Sequence, residues 1–239
     1  MSYNILLGGE DRLGGIAGVI SAEQPDVVAL LEANSRENAE ALASELGMQL
    51  VFGEANSKFH IAWLSRLPVL RDENHRLAAL AKTLLEIEVI WDGTPLRLFA
   101  THLGSRHDCS QPVDEVPLIL EVLKPLANEP HLLVGDFNSL RYGDPIGTPP
   151  PGTEWRIDPN DTSTGRSIDL ILEAGYTDCY RALNPESPGY TYRTDHPWLR
   201  LDYIFASPPM ARRLHTCDIV HGGDALQSSD HFPILAEFR

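Results

Sequence analysis

The sequence predicts an α/β protein in which two β-sheets pack face to face and the helices cover their outer sides. Short apolar segments typical of strands alternate with helical patterns along the 239 residues. The layout also has a rough two-fold character, because each half contains strands, a helix and a strand that ends in polar side chains. The chain has no linker, low-complexity tract or fixed-period repeat, so we interpret residues 1–239 as a single domain.

The elements of the N-terminal part follow from the spacing of its apolar residues. Two buried strands, SYNILL and PDVVALLEA, flank the predicted helix GGIAGVISAEQ. The clearest helix is NSRENAEALASELG, which Asn34 or Ser35 can cap and which Gly47 ends. Its apolar face contains Ala39, Leu42, Ala43 and Leu46.

A run of strands without intervening helices follows, and Asp92-Gly93 before its last member predicts a tight hairpin. These strands are MQLVFG, HIAWLSR, PVLRDENHR, KTLLEIEVIW and PLRLFATHL. The helix VDEVPLILEVLKPLA comes next, with Pro117 suited to its first turn and Pro125 expected to kink or end it. The strand HLLVGDF precedes a long surface loop, YGDPIGTPPPGTEWRIDPNDTST. The remaining elements are the short helix GRSIDLILEAG and the strands RLDYIFAS, HTCDIV and FPILAEF.

The charge of the chain bears on the partners it can bind. The formal net charge is −15, and no cluster of basic residues occurs beyond Arg212-Arg213. Proteins that grip duplex nucleic acid along its backbone usually carry a basic face. The charge therefore does not favour nucleic acid as the partner, although a local positive groove stays open as an alternative.

Composition also indicates a compartment. No apolar run reaches the ~18 residues that a membrane helix needs, and the N-terminus lacks the basic segment of a signal peptide. The three cysteines, Cys109, Cys179 and Cys217, are an odd number without metal-like spacing and fit free thiols. We expect a cytoplasmic protein without a membrane span, acting as a monomer.

Polar side chains stand where several predicted strands end. Asp136 and Asn138 follow HLLVG, and each alone is typical of a turn. Asn4 lies in the first strand, Glu32 ends the second, and Asp230 precedes the last. Each of these also has an ordinary structural explanation, such as a satisfied amide or a turn residue. Together they place oxygens where strands leave a core, which is where α/β sites form.

Two histidines and a buried carboxylate complete the set. His102 ends the strand PLRLFATH, and His231 follows Asp230. Asp202 lies in the apolar strand RLDYIFAS, and a buried carboxylate needs a partner, for which a histidine is suited. Carboxylate and amide oxygens are the ligands that Mg²⁺ prefers, and histidines can donate to a phosphate. The set therefore suits metal-assisted chemistry on a phosphoester.

Six motifs, in this order and at these distances, resemble the endonuclease/exonuclease/phosphatase superfamily, which includes deoxyribonuclease I. The motifs are YNI, VVALLE, THL, GDFN, RLDYIF and SDHFPI, and they span almost the whole chain. The resemblance implies a deoxyribonuclease I-like, four-layered α/β sandwich with the site at one end of the paired sheets. It also implies Mg²⁺- or Mn²⁺-dependent cleavage of a phosphoester by attack of water.

The resemblance assigns roles position by position. Asn4 and Glu32 match metal-site positions, and Asp230 with His231 matches the closing motif, so Asn4, Glu32 and Asp230 are the expected metal residues. The expected catalytic residues are His102, which would contact the scissile phosphate, the water-positioning Asp136 and Asn138, and the pair of Asp202 with His231.

The chain departs from parts of the family pattern. The Tyr-x-Pro-Asn element of the exonuclease III branch is absent, and Leu31 stands where many members have Gln. The segment ATHLGS is nearer to the phosphatase, sphingomyelinase and tyrosyl-DNA phosphodiesterase side.

Other features carry weaker interpretations. The glycines of LLGGEDRLGG lack the Lys-Ser/Thr of a P-loop and fit a turn before a helix. His102, His107 and Cys109 match no closed zinc site. Trp155 and Trp198 fit either the mouth of the site or simple packing.

The leading functional hypothesis is a metal-dependent phosphodiesterase or phosphatase that acts on a small or terminal phosphoester. The alternative is a nuclease of DNA processing or repair, which would need a groove built from residues such as Arg106, Arg141, Arg166 and Arg193. A third hypothesis, a catalytically inactive binding module, predicts loss of at least one site residue, and none of the eight is lost.

Overall fold

The computed structural model describes residues 1–105, 108, 111–153 and 165–239, and within them twelve strands form two six-stranded mixed sheets. The first sheet contains, in spatial order, β11 (Leu214–Ile219), β12 (Ile234–Phe238), β1 (Ser2–Asn4), β2 (Val27–Leu31), β4 (Ile61–Ser65) and β3 (Gln49–Gly53). The second contains β5 (Val69–His75), β6 (Leu84–Trp91), β7 (Thr94–His102), β8 (His131–Asp136), β10 (Asp202–Ala206) and β9 (Thr177–Asp178).

Helices cover the outer faces of both sheets. The helices are α1 (Leu13–Glu23), α2 (Arg36–Leu46), α3 (Pro112–Leu123), α4 (Arg166–Glu173), α5 (Cys179–Leu183), α6 (Pro208–Ala211) and α7 (Ala225–Ser228), with 3₁₀ turns at Leu7–Arg12 and Lys124–Leu126. The predicted four-layered sandwich is confirmed. No helix among the described residues is both long enough and apolar enough to cross a membrane.

Two apolar cores hold the layers together. The larger one joins the inner faces of the two sheets with α1 and α2, and contains residues such as Ile20, Leu42 and Val134. The smaller one lies between the outer face of the second sheet and the helices α3 and α4, where Phe99 and Ile119 pack. Burial on both faces of the sheet explains why central strands such as β2 and β8 read as continuous apolar runs rather than as alternating ones.

The predicted two-fold character is visible in the topology. Each sheet has one parallel pair near its centre, β1 with β2 and β7 with β8, flanked by antiparallel neighbours. Beside each parallel pair the spatial order of the last two strands is the reverse of their sequence order. In the first sheet β4 lies next to β2 and β3 forms the edge, and in the second sheet β10 lies next to β8 and β9 forms the edge. The carboxyl ends of the two parallel pairs therefore supply equivalent positions.

Most predicted elements agree with the structure. Ser35 caps α2 by accepting from the Asn38 N–H at 3.1 Å, and Gly47 ends the helix in the left-handed conformation. The Asp92-Gly93 hairpin is also confirmed, since both residues have positive φ and Trp91 pairs with Thr94.

Two predictions of local structure are wrong, and four short elements were not predicted. The first strand ends at Asn4 rather than continuing through Leu7, because Leu6 and Leu7 take left-handed φ values of 52° and 53°. Pro117 lies inside α3, since the helix begins at Pro112. The short elements α5, α6, α7 and β9 lacked a periodic pattern and were not predicted.

Candidate active site

The polar strand ends meet at one end of the sandwich. Asn4, the last residue of β1, pairs with Leu31, so Glu32 lies just beyond it. At the equivalent place in the second sheet, His102 of β7 pairs with Asp136 of β8. The Asn4 Nδ2 donates to Glu32 Oε1 at 3.3 Å and to Asp136 Oδ2 at 3.1 Å, which ties the two sheets together at this end.

Unusual backbone conformations aim these side chains. Glu32 has a φ of 57°, and its Oε2 accepts the backbone N–H of Leu7 at 2.9 Å. Left-handed φ is uncommon for Glu and marks a position that the surrounding structure holds in place. Gly135 permits the close approach of β7 and β8, since a Cβ there would lie 1.8 Å from the Thr101 carbonyl oxygen.

The GDFN segment forms a turn and a site wall at once. Asn138, with a φ of 46°, donates its backbone N–H to Asp136 Oδ1 at 2.9 Å. Its side-chain Nδ2 donates to the Leu103 carbonyl at 3.0 Å. Asp136 and Asn138 are therefore neighbours through a turn that follows β8.

The predicted carboxylate–histidine pair is present. The His231 Nδ1 lies 2.8 Å from Asp202 Oδ2, and its Nε2 lies 3.8 Å from Asp136 Oδ2. Asp202 is fully buried and pairs with Asp136 across β10 and β8. Burial by itself favours the neutral ring, but the neighbouring carboxylates of Asp202 and Asp136 outweigh it and raise the pKa of His231 to about 10. His231 is thus a cation at neutral pH.

The second histidine is in the opposite charge state. The His102 Nε2 lies 3.5 Å from Asp136 Oδ2. Burial lowers the pKa of His102 to about 4, against the attraction of Asp136. Its Nδ1 is buried and finds no partner among the described residues. A neutral and a charged imidazole therefore face the same carboxylate oxygen.

Carboxylate oxygens remain for a ligand. The buried Oδ1 atoms of Asp230 and Asp202 have no hydrogen-bond partner within the described part of the chain, which is rare for buried oxygens. Burial, as the largest cause, raises the pKa of Glu32. Glu32, Asp136 and Asp230 line the cavity described below, and Asp202 does not. A hard cation at the cavity wall would satisfy such oxygens.

One compact group of potential ligands differs from the predicted metal set. Single donor atoms of Asp136, Asp202 and His231 lie within 4.8 Å of one another. Because the Nδ1 of His231 already contacts Asp202, this group fits a proton-handling pair beside a carboxylate. The Asn4 Oδ1 accepts the Leu6 N–H at 3.0 Å, and the metal role of Asn4 stays a prediction. Its amide holds Glu32 and Asp136 in place.

The site opens into a cavity of about 820 Å³. Six of the eight predicted residues line it, while Asn4 and Asp202 lie behind its wall. The six are Glu32, His102, Asp136, Asn138, Asp230 and His231. Lys82, Phe59 and Tyr192 also line it and were not predicted; the ring centroid of Tyr192 lies 4.9 Å from that of His231. Of these three residues, only Lys82 could have been recognised from the sequence, because it is a charged residue at the start of the apolar segment KTLLEIEVIW.

Other candidate residues lie elsewhere. Trp198 is buried in a small cluster with Leu140 and Leu199 and does not line the cavity, so packing is the correct interpretation. Gly8 and Gly9 lie in the turn before α1, as expected. Residues of the zinc and groove interpretations, and one tryptophan, lie outside the described residues: Arg106, His107, Cys109 and Trp155.

Two of the three remaining arginines of the predicted groove form ion pairs on the surface. Arg166 forms an ion pair with Glu173 at 2.6 Å, and Arg193 forms one with Asp195 at 2.9 Å. Neither these two nor Arg141 belongs to the lining of the cavity.

Comparisons with known proteins agree with this arrangement. The sequence profile of the Endonuclease/Exonuclease/phosphatase family matches residues 1–231. A search of curated protein sequences gives no match. Among solved structures, an AP endonuclease from Archaeoglobus fulgidus has 19% identity and a TM-score of 0.76, covering 99% of this chain and 97% of that chain.

Two further solved structures are similar over their whole lengths. The 3′ phosphatase NExo from Neisseria, bound to a product DNA hairpin, has 19% identity and a TM-score of 0.77, with 100% of this chain and 98% of that chain covered. A humanized D. rerio TDP2 has 18% identity and a TM-score of 0.73, with coverages of 100% and 97%. At these identities the likeness establishes the fold.

Proposed function

The chain belongs to the endonuclease/exonuclease/phosphatase family, and we propose that it is a divalent-metal-dependent hydrolase of phosphoesters. The observation that carries this proposal is the line of contacts from Asp202 through His231 to Asp136 at a cavity that Glu32 and Asp230 also line. Together these side chains provide a proton acceptor, a hydrogen-bond donor to an anion, and carboxylate oxygens that could bind a cation. Such a combination suits attack of water on a phosphoryl group.

The donor set fits a hard divalent cation, Mg²⁺ or Mn²⁺. Glu32 and Asp230 would hold it, and Asn4 would fix the Glu32 carboxylate through its amide hydrogen bond. The unpartnered Oδ1 of Asp230 supports this assignment. When bound, the ion would withdraw charge from the phosphoryl oxygens and lower the barrier to attack.

The chain's own residues would handle the water and the phosphoryl group. Asp136 would orient the attacking water and accept its proton, and the hydrogen bond from the Asn138 N–H to its Oδ1 supports this role by fixing the carboxylate. His231, held by Asp202, would donate from Nε2 to a phosphoryl oxygen. His102, neutral at physiological pH because of its low pKa, would donate a second hydrogen bond without adding charge.

We propose a small or terminal phosphoester as the substrate. The net charge of −15 and the ion-paired state of Arg166 and Arg193 support few contacts to a nucleic-acid backbone. Nuclease activity is the second candidate, because the similar solved structures include an AP endonuclease and a 3′ phosphatase bound to DNA. A terminal phosphate of DNA would satisfy both observations.

A substrate panel tests the proposal. The panel contains bis-p-nitrophenyl phosphate, p-nitrophenyl phosphate, a 3′-phosphorylated oligonucleotide, plasmid DNA, sphingomyelin and inositol phosphates, each assayed with Mg²⁺, Mn²⁺ or EDTA. We expect hydrolysis of at least one small or terminal substrate, its loss in EDTA, and its loss in the Asp136→Asn variant. Full activity in EDTA would contradict the metal-dependent mechanism.

Salt dependence separates the two substrate classes. Binding to a phosphate backbone weakens with salt by roughly one power of its concentration per phosphate neutralised. We expect the KM for the preferred substrate to change with a log–log slope of about 1–2 in magnitude. Preference for plasmid together with a steep slope would make the nuclease the better assignment.

A further inference from the structure

The wall of the active-site cavity contains a buried cation that the proposed mechanism does not use. Lys82 precedes β6 and is 2% exposed, yet it lines the cavity together with His102 and Asp136. Its Nζ donates to the Leu103 carbonyl at 3.0 Å and to Asp108 Oδ2 at 2.7 Å. A buried ammonium is costly unless it is paired and hydrogen-bonded, so these contacts define where its charge lies.

The contacts leave part of the ammonium available. An ammonium group has three N–H donors, and the two bonds within the described residues use two of them. The Lys82 Nζ also lies 5.6 Å from the ring centroid of Phe59, and both residues line the cavity, so the third donor has the cavity as its open side.

The position of Lys82 is tied to the proposed catalytic residues. The Leu103 carbonyl that accepts from Lys82 also accepts from Asn138 Nδ2 at 3.0 Å. Leu103 directly follows His102, and its N–H donates to the Asp136 carbonyl at 3.0 Å. One peptide carbonyl therefore fixes both the ammonium and the amide of Asn138 beside the place where a phosphoryl group would bind.

We propose that Lys82 is a substrate-contacting residue, whose third N–H donates to a non-bridging oxygen of the phosphoryl group. This inference rests on the proposed function and adds to it a positively charged phosphate contact. An ammonium is a common phosphate-binding group, and a charge-assisted hydrogen bond is stronger than a neutral one.

The competing role for Lys82 is to anchor the loop after β7. Asp108 Oδ2, the partner of Lys82, also accepts from the Ser105 N–H at 2.7 Å and the Ser105 hydroxyl at 3.0 Å. Burial would raise the pKa of Asp108, but the hydrogen bonds from Lys82 and Ser105 lower it. The carboxylate is thus stabilised by groups other than Lys82.

A second residue connects the segment that contains Lys82 to the loop after β7. The fully buried Glu115 of α3 accepts the N–H of Ala81 through one oxygen and the N–H of Gly104 through the other, the latter at 2.7 Å. This carboxylate holds the two segments together without the lysine. We therefore expect the local structure to survive removal of the ammonium.

Three variants distinguish contact with substrate from loop anchoring. Lys82→Met removes the ammonium and keeps much of the chain volume, Asp108→Asn removes the partner charge, and Lys58→Met removes an exposed lysine whose Nζ lies 5.2 Å from the Phe59 ring centroid. We expect Lys82→Met to lower kcat/KM by about 10–100-fold, as for loss of one hydrogen bond to a charged group. We expect Asp108→Asn and Lys58→Met to change it by less than about threefold, on the same scale.

The binding of inorganic phosphate provides a readout that does not depend on turnover. Titration calorimetry should show that Lys82→Met binds phosphate more weakly than the wild type, by a factor similar to the loss in kcat/KM. Lys58→Met should bind phosphate as tightly as the wild type. Equal losses in Lys82→Met and Asp108→Asn would overturn the contact with substrate in favour of loop anchoring, as would unchanged phosphate binding in Lys82→Met. Absence of hydrolysis by the wild type on the whole panel would instead reject the proposed function, and the phosphate titration would still decide the role of Lys82.

Discussion

Two clusters of buried charge lie within a few residues of each other along the chain, and they are organised differently. The closed cluster consists of Arg200, Arg181, Asp144 and Asp178. The open cluster consists of Asp136, Asp202, Asp230, Glu32 and His231. Arg200 and Asp202 stand two positions apart in the sequence LRLDYIF, yet each belongs to a different cluster.

The closed cluster satisfies its own charges. Arg200 is fully buried and contacts Asp178 with two nitrogens, at 3.0 and 2.7 Å, while Asp144 Oδ2 accepts from it at 2.8 and 2.6 Å. Arg181 lies 3.1 Å from Asp144 Oδ1. Two arginines therefore face two aspartates, and the cluster needs no further ion.

The open cluster leaves charge unbalanced. It places four carboxylates around the single cation His231, and two of their buried oxygens have no partner among the described residues. Three of its carboxylates and His231 line the active-site cavity, and no residue of the closed cluster lines that cavity. The difference teaches that buried charge alone does not indicate a site; unpaired oxygens at a cavity do.

The largest expected effect concerns the stability provided by the closed cluster. We expect Arg200→Met to lower the free energy of unfolding by about 3–5 kcal/mol, because it leaves Asp144 and Asp178 buried with too little positive charge. Denaturant unfolding followed by circular dichroism measures this change. The matched control is Arg166→Met, which breaks an exposed ion pair with Glu173 and should alter stability little. Equal, small effects in both variants would remove the distinction between the clusters.

The next effect concerns turnover at the open cluster. We expect Asp136→Asn and His231→Ala each to lower kcat by at least ~100-fold, as for loss of a proton acceptor or a charge-stabilising donor. Both variants should keep the native fold under the assay conditions, which circular dichroism checks. Arg200→Met, assayed under conditions in which it is folded, should retain kcat within a few-fold. A comparable loss of kcat in Arg200→Met would show that the closed cluster takes part in turnover.

The sequence predicted the open cluster better than the closed one, for a physical reason. The site residues stand at strand ends and in short motifs, so their positions followed from local pattern and from family resemblance. Asp202 was identified because a carboxylate inside an apolar strand needs a partner. Arg200 precedes that strand and finds its partners at Asp144 and Asp178, which only tertiary packing brings near it.

The same limit applies to the fold. Long periodic elements such as α2 and the apolar strands were predicted from spacing, and the two-fold layout indicated two sheets. The four-residue helices and the two-residue strand β9 are too short to show a period. Lys82 lines the cavity only because Leu103 and Asp108, more than twenty residues away, fix its ammonium there.

A smaller effect measures coupling inside the open cluster. We expect Asp202→Asn to lower kcat/KM by about 10–30-fold through the orientation of His231, and to have little further effect once His231 is alanine. The resulting coupling energy would be about 2 kcal/mol, as for residues that act as a unit. The double-mutant cycle measures it on the preferred substrate. Additive losses would show that Asp202 acts independently of His231.

The smallest expected effect is the change in the free energy of unfolding per pH unit, measured without bound metal, which should differ between the two clusters. The pKa of His231 is about 10 in the folded chain, against roughly 6.5 for an unfolded histidine. Between these values the folded state holds a proton that the unfolded state lacks, so stability should fall as pH rises. One proton gives a slope of at most about 1.4 kcal/mol per pH unit. In the closed cluster, burial would lower the pKa of Arg200, but Tyr203 and the carboxylates of Asp178 and Asp144 raise it above its ordinary value, so Arg200 stays charged throughout. Denaturant unfolding in EDTA at pH 6.5, 7.5 and 8.5 should therefore show a slope in the wild type and Arg200→Met that is absent in His231→Gln. A slope that persists in His231→Gln would assign the titration to another group and would remove the charge on His231 from the account of the open cluster.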